Sequence, residues 1–80
     1  MQYYVIEIQN RADGNNNQST TMRQKLSTGL QLFYERCAAN TQTQQYPTAT
    51  VMLIDSEGGI YKNERIVTSY VEPAEEGDGA

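Results

Sequence analysis

One amphipathic stretch with strand-like segments on both sides constrains the fold of this 80-residue chain more than any other feature. Apolar side chains recur in it at steps of three and four, the periodicity of a helix that buries one face. This stripe consists of Leu26, Leu30, Phe33, Tyr34, Cys37 and Thr41. The pattern predicts a helix over residues 27–40, with Ser27 or Thr28 as the N-cap. Gly29 is expected to cost about 1 kcal/mol relative to Ala in the first turn.

The segment before this helix predicts one strand clearly and a second less clearly. Residues 3–9 combine aromatic and β-branched side chains with alternation, which is typical of a strand. Asp13 and Gly14 then suit a hairpin turn, because such turns need a residue that accepts positive φ. The polar residues 16–23 follow, and the pattern leaves three alternatives open for them: an edge strand, a loop, or an early start of the helix at Ser19.

The segment after the helix predicts a β-hairpin. Residues 48–55 form a strand signature, Gly58 and Gly59 lie in the turn, and residues 60–71 return as the last strand. Neither set of alternate positions on this last strand is cleanly apolar. Such mixing predicts a β-bulge, or a second sheet face that another subunit covers.

Together these segments predict an α+β fold. We expect an antiparallel sheet of three to four strands with one helix packed on one face, in the order ββαββ or, without the second strand, βαββ. If Tyr4, Ile6 and Ile8 face the helix, then Tyr3, Val5 and Glu7 lie on the other face of the sheet. A partly apolar, uncovered face of that kind favours a homo-oligomer.

The charge of the chain is distributed unevenly. Residues 1–71 are expected to form a single domain, and residues 72–80 a disordered acidic tail. The formal net charge is −4, and the tail accounts for all of it through Glu72, Glu75, Glu76 and Asp78. The remaining part has six acidic and six basic residues. The acidic pI therefore neither excludes a phosphate-bearing ligand nor supports nucleic-acid mimicry.

The composition excludes several kinds of catalysis. Histidine is absent and Cys37 is the single cysteine, so Ser-His-Asp and Cys-His mechanisms, the usual zinc sites and an intrachain disulfide are ruled out. We expect Cys37 to lie in the core. No apolar run reaches the roughly 18 residues of a membrane span, which predicts a cytosolic protein. The sequence thus predicts a protein that is not an enzyme and uses no cofactor or metal.

The remaining candidate motifs favour simple structural interpretations. Asp13-Gly14 and Gly58-Gly59 lie between antiparallel strands, whereas a phosphate-binding loop must follow a strand and open a helix. Asp55, Glu57 and Glu64 share one hairpin and are expected to be solvated, with a magnesium or calcium site as the alternative.

Aromatic and basic residues offer a further possibility. Six of the seven aromatic residues are tyrosines, whose flat faces and hydroxyl groups suit subunit interfaces and nucleobase pockets. They could fill the core and a subunit interface, or one could stack on a ligand ring while an arginine binds an anion. The basic candidates are Arg11, Arg23, Lys25, Arg36, Lys62 and Arg65.

These motifs resemble a group of small proteins encoded by phages and prophages of gut Firmicutes. The resemblance covers residues 3–71 and includes the first strand with its Ala-Asp-Gly turn, the helix carrying Tyr34, Pro47, and the Glu57-Gly58 turn before Glu64. It implies that residues 16–23 form a strand. Histidines that are common in that group are missing from this chain.

The resemblance also implies a function. Compact phage proteins of this kind resemble the Sequestin and Lockin type of sponge, which traps ADP-ribose-derived immune signals. We therefore expect a counter-defence protein that sequesters a nucleotide-derived small molecule in the host bacterial cytoplasm without turnover. Alternatives are a protein-binding inhibitor such as an anti-CRISPR, and a phage adaptor without a ligand. The predicted ligand-binding residues are Tyr3, Glu7, Gln9, Arg23, Tyr61 and Arg65.

Overall fold

The computed structural model describes residues 1–43 and 46–67. It contains one helix and four strands, which confirms the predicted α+β class and the ββαββ order. Residues 16–23 form a strand, so the first of the three alternatives for this segment is confirmed. The predicted strand residues 68–71 and the predicted tail, residues 72–80, lie outside the described residues. The elements are β1 (Tyr3–Asn10), β2 (Asn16–Arg23), α1 (Leu26–Gln42), β3 (Thr48–Asp55) and β4 (Ile60–Val67).

The four strands form one antiparallel sheet in the order β2-β1-β3-β4. The helix connects the edge strand β2 to the central strand β3 and packs on one face of the sheet. At the β1–β2 turn, Gly14 has a φ of +94°, a conformation that side chains rarely adopt. The Asp13 carboxylate supports this turn by accepting the Asn15 backbone N–H at 3.0 Å.

The core lies between α1 and the two central strands. Its buried members are Val5, Leu32, Phe33, Val51, Leu53 and Ile66. The helix approaches β3 closely at Gly29, where an added Cβ would lie 3.1 Å from Leu53 Cδ1. Gly29 lowers the helix propensity of the first turn, but its missing side chain lets the backbone of α1 approach the sheet.

The structure reverses the expected orientation of β1. Val5 and Glu7 are buried on the face that α1 covers, whereas Tyr4, Ile6 and Ile8 lie on the opposite face and are only half-buried. The choice of face depends on the neighbours of β1. Val5 pairs with Leu53, and the Glu7 carboxylate finds hydrogen-bond partners on the helix.

The helix also differs in its start and its buried stripe. Lys25 occupies the N-cap position without a side-chain cap, and the Thr28 hydroxyl donates to the Lys25 carbonyl at 3.0 Å. The predicted Ser27 or Thr28 cap is thus wrong, because α1 begins soon after β2 ends. The stripe is rotated as well, since Tyr34 and Thr41 are exposed. The buried positions are Gly29, Leu32, Phe33 and Asn40.

The mixed pattern of the last strand results from a β-bulge, as one of the two interpretations predicted. The register between β3 and β4 shifts at Leu53 and Ile54, which pair with Lys62 and Ile60. Tyr61 is the extra residue. Its hydroxyl donates to Asp55, so it lies on the face that the helix covers. The bulge places Lys62 and Tyr61 on this face and Ile60 on the other.

Candidate ligand-binding groove

Glu7 and Gln9, two of the predicted ligand-binding residues, belong to a polar cluster beneath α1. Asn40, which is fully buried, donates from Nδ2 to Glu7 Oε2 at 2.6 Å and accepts from Gln9 Nε2 at 2.9 Å. Arg36 forms an ion pair with Glu7 Oε1 at 3.4 Å, and the Ser19 hydroxyl donates to the same oxygen at 3.3 Å. These polar groups bind each other and hold the C-terminal half of the helix on the sheet.

Tyr3 and Tyr61, two further predicted residues, lie in contact at the opposite end of the sheet. Their ring centroids are 5.8 Å apart, and the Tyr61 hydroxyl donates to Asp55 Oδ2 at 2.9 Å. Asp55 Oδ1 accepts the backbone N–H groups of Gly59 at 2.8 Å and Glu57 at 2.9 Å. The Gly59 hydrogen bond and then the Tyr61 hydrogen bond lower the pKa of Asp55, while the bond to Asp55 raises the pKa of Tyr61.

Of the two predicted arginines, Arg23 is the register partner of Tyr3 and lies beside it on the helix side of the sheet, whereas Arg65 lies apart from both pairs. Arg23 Nη1 donates to the Met22 carbonyl at 3.0 Å, and the side chain lines a small cavity of about 190 Å³ beside one flank of α1. Arg65 is exposed and pairs with Thr50, which places it on the sheet face away from the helix. The structure therefore places Tyr3 between Tyr61 and Arg23 and joins Glu7 to Gln9 through Asn40, but it does not bring the six predicted residues into one pocket.

A larger concave surface lies between α1 and β4, and we call it the α1–β4 groove. Its volume is about 390 Å³, within the roughly 300–1,000 Å³ of small-molecule sites. Phe33, Cys37 and Ile66 contribute apolar surface. Polar groups come from both flanking elements. The lining residues are Phe33, Tyr34, Cys37, Thr41, Lys62, Glu64 and Ile66.

The polar side chains of the α1–β4 groove are close together. Tyr34 is 54 % exposed and packs edge-on against Phe33, with ring centroids 5.2 Å apart. The Lys62 ammonium lies 5.7 Å from the centroid of the Tyr34 ring. Lys62 and Glu64 occupy alternate positions of β4 and therefore share one face of the sheet. The groove thus offers an aromatic face, a cation and a carboxylate above apolar surface.

Cys37 contributes a neutral thiol to the groove. It is half-buried and packs against the core, and burial raises its pKa. The negative charges of Glu64 and Glu7 raise the pKa further. Because the thiolate is the nucleophilic form, this thiol is a poor nucleophile at neutral pH.

A second surface cleft, of about 380 Å³, lies beside the β1–β2 turn. Arg11, Ala12, Asp13 and Tyr46 line it. Arg11 supplies a cation and Tyr46 an aromatic ring, but Asp13 already supports its own turn. Among the described residues that line this cleft, none is a buried apolar residue, in contrast to Phe33 and Ile66 of the α1–β4 groove.

The sequence offers Lys62 as one of six basic candidates and Glu64 as a hairpin carboxylate, but the predicted ligand-binding set contains neither of them and does not contain Tyr34. Tyr34 matches the predicted core stripe of α1, and the bulge at Tyr61 changes which β4 residues face the helix. A usable signal was present in the alternation of Lys62, Glu64 and Ile66, which places two opposite charges beside an apolar residue.

The described part of the chain contains neither a metal-binding cluster nor a membrane-spanning helix. Residues 1–43 and 46–67 contain no group of three or more acidic or cysteine side chains arranged to hold a metal ion. No helix within these ranges has the length and apolar character needed to cross a membrane.

Comparison of the chain with protein-family models, with curated proteins and with solved structures gives no match.

Proposed function

We propose that this protein binds a nucleotide-derived ligand of the ADP-ribose type in the α1–β4 groove and sequesters it without turnover. The observation that carries this proposal is the exposed Tyr34 ring, with Lys62 and Glu64 beside it, next to apolar surface. Nucleotides combine a flat ring, anionic phosphates and sugar hydroxyls, and each of these groups has a counterpart in the groove.

Each residue has a distinct role in this proposal. The adenine ring stacks on the exposed part of Tyr34, and such stacking contributes about 1–3 kcal/mol per base. Lys62 exchanges its contact with the Tyr34 ring for charge-assisted hydrogen bonds to the diphosphate. Glu64 accepts hydrogen bonds from ribose hydroxyls.

The proposed biological role follows the resemblance to phage-encoded sponges. The protein would be a counter-defence factor that removes an immune signal in the cytoplasm of the bacterial host, as a homo-oligomer and without a cofactor. The raised pKa of Cys37 supports binding without covalent chemistry, because the one thiol near the ligand stays protonated.

Calorimetric titration with ADP-ribose and cyclic ADP-ribose tests the proposal, with inorganic phosphate as the reference anion. Tyr34→Leu should weaken binding about 5- to 100-fold through loss of stacking. Lys62→Gln should weaken it and also reduce its dependence on salt concentration. Lys25→Gln is the matched control, because Lys25 is exposed at the N-terminus of α1 and the same charge is removed.

The fate of the ligand completes the test. Heat denaturation of the complex should release the ligand chemically intact. No binding of either nucleotide, or equal weakening by Lys25→Gln and Lys62→Gln, would refute the proposed site. Release of a cleaved ligand would show that the protein is an enzyme.

A further inference from the structure

The sheet face that points away from α1 carries several exposed apolar side chains, and we call it the open face. Among the described residues it comprises sixteen positions, four on each strand, which the strand registers place on this side. Half of them are apolar or aromatic, and Arg65 is the single charged residue. The apolar members are Tyr4, Ile6, Ile8, Met22, Met52, Ile54, Ile60 and Val67.

The apolar side chains of the open face remain in contact with solvent. Ile60 is 63 % exposed, Val67 59 % and Met22 42 %, and the central apolar residues are half-buried. Strands of eight residues at about 3.3 Å per residue span about 26 Å, and four strands at about 4.8 Å span about 19 Å. The resulting footprint of the whole face is about 500 Å², and apolar side chains occupy half of its positions.

We propose that a second copy of this chain packs face to face on the open face and forms a two-fold symmetric dimer. The proposal deepens the homo-oligomer of the proposed function by assigning its interface. Two sheets packed in this way lie about 10 Å apart with their strands nearly aligned. A standard interface buries about 800 Å² of accessible surface per partner. The accessible surface of the open face is larger than its flat footprint, because side chains protrude from the sheet, and is therefore comparable to this value.

The distribution of polar residues favours a second copy over a charged partner. The apolar residues of β1 and β3, which include Ile6, Ile8 and Met52, occupy the middle of the face. A two-fold axis parallel to the strands places β4 of each copy over β2 of the other. Arg65 then faces neutral amides and hydroxyls, such as the partner's Gln18, and like charges stay apart.

The proposed dimer leaves ligand binding possible in both copies. The α1–β4 groove lies on the helix side of the sheet, and the open face lies on the other side. A face-to-face dimer therefore exposes two grooves on its outer surfaces. Dimerisation and ligand binding can be measured and disrupted independently.

Sedimentation equilibrium on the full chain tests the interface. The wild-type protein should have twice its 9.0 kDa monomer mass at micromolar concentration. Ile6→Lys and Thr50→Arg place a charge in the middle of the open face and should weaken dimerisation at least tenfold. Thr50 already presents a polar side chain there, so Thr50→Arg removes no core residue. Gln31→Lys is the control, because Gln31 is exposed on α1.

The outcomes separate this inference from the proposed function. A wild-type monomer, or a dimer that both open-face variants leave intact, would overturn the inference, and a monomer would assign the face to a different protein partner. A monomer that binds ADP-ribose would overturn the dimer alone. A dimer that dissociates in both variants but binds no nucleotide would support the interface and overturn the proposed ligand. Circular dichroism confirms that each variant is folded.

Discussion

The two faces of the sheet both carry apolar side chains, but in very different environments. On β1 the open face has Tyr4, Ile6 and Ile8, and the face beneath α1 has Val5 with the acidic Glu7. The helix thus covers the less apolar side of this strand. Val51 and Leu53, also beneath the helix, are fully buried. The number of apolar residues on one strand therefore does not determine which face a helix covers.

Two features of the covered face explain the choice. Gly29 lets the backbone of α1 approach Leu53, which a larger residue would obstruct. Asn40 and Arg36 provide the Glu7 carboxylate with an amide donor and a guanidinium. Hydrophobic side chains of the open face contact solvent, whereas those of the covered face contact the helix. Exposed hydrophobic side chains that share one face are expected of an interface.

The largest difference between the faces should appear when neighbouring residues of β3 are truncated. Leu53→Ala leaves a cavity in the core and should lower the free energy of unfolding by about 3–5 kcal/mol. Ile54→Ala, on the half-buried open side, should lower it by less than about 1.5 kcal/mol in dilute solution. Urea unfolding measures both. Equal losses in the free energy of unfolding would show that the two faces contribute equally to the stability of the core.

The polar cluster beneath α1 should show the next largest effect. Asn40→Ala removes the amide that binds Glu7 and Gln9 and should cost about 2–3 kcal/mol, because a buried carboxylate loses a donor. Asn63→Ala, at an exposed position of the open face, should change stability by less than about 0.5 kcal/mol. Addition of Glu7→Gln to Asn40→Ala should cost less than the sum of the single changes. Additive losses would show that Asn40 does not act through Glu7.

Asp55, on the covered face, should make the free energy of unfolding of the protein depend on pH. Its pKa in the folded protein lies below its ordinary value of about 3.9, so folding favours the charged form. This stabilisation is fully present above about pH 4 and is lost as the pH falls through the lower, folded-state pKa. The difference in unfolding free energy between wild type and Asp55→Asn should therefore shrink from pH 7 to about pH 2.

Tyr61→Phe provides an internal comparison for this pH effect. It removes one of the hydrogen bonds that lower the pKa of Asp55 and retains those from Gly59 and Glu57. Its pH dependence should lie between those of wild type and Asp55→Asn. A wild-type to Asp55→Asn difference that does not vary with pH would contradict the assigned role of Asp55.

The smallest effect concerns the open face. For a dimer, the midpoint of thermal unfolding rises with protein concentration by mass action. We expect the wild-type midpoint to rise by a few degrees over a hundredfold increase in concentration, and the Thr50→Arg midpoint to stay constant. Scanning calorimetry at two concentrations measures this. A constant wild-type midpoint would contradict a dimer held by the open face.

The elements of the fold could be predicted because their signals are local. Strand alternation, the Asp-Gly and Gly-Gly turns and the single helical stripe indicate ββαββ or βαββ, and only the resemblance to the phage proteins favours a strand at residues 16–23, which the structure contains. The buried face of α1 could not be predicted correctly from hydropathy, since it includes Gly29 and Asn40, which are not hydrophobic residues. One is buried by close backbone approach, and the other by its hydrogen bonds to Glu7 and Gln9.

The candidate site was less accessible to prediction than the fold. Its residues come from α1 and β4, which become neighbours only through the tertiary fold. The bulge at Tyr61 decides which β4 side chains face the helix, and the sequence indicates a bulge without its position. Tyr34 matched the apolar stripe, so its exposure depended on the helix rotation. Tyr3 and Tyr61 are both predicted ligand-binding residues and do lie in contact, but the Tyr61 hydroxyl supports the Asp55 turn.

The division between a covered core face and a self-associating open face can be tested directly by isotope-filtered NMR on a mixture of labelled and unlabelled protein. We predict intermolecular contacts among the methyl groups of Ile6, Met52 and Ile54, and none that involve Val51 or Leu53. Intermolecular contacts confined to the outer surface of α1, or their complete absence at millimolar concentration, would contradict the account.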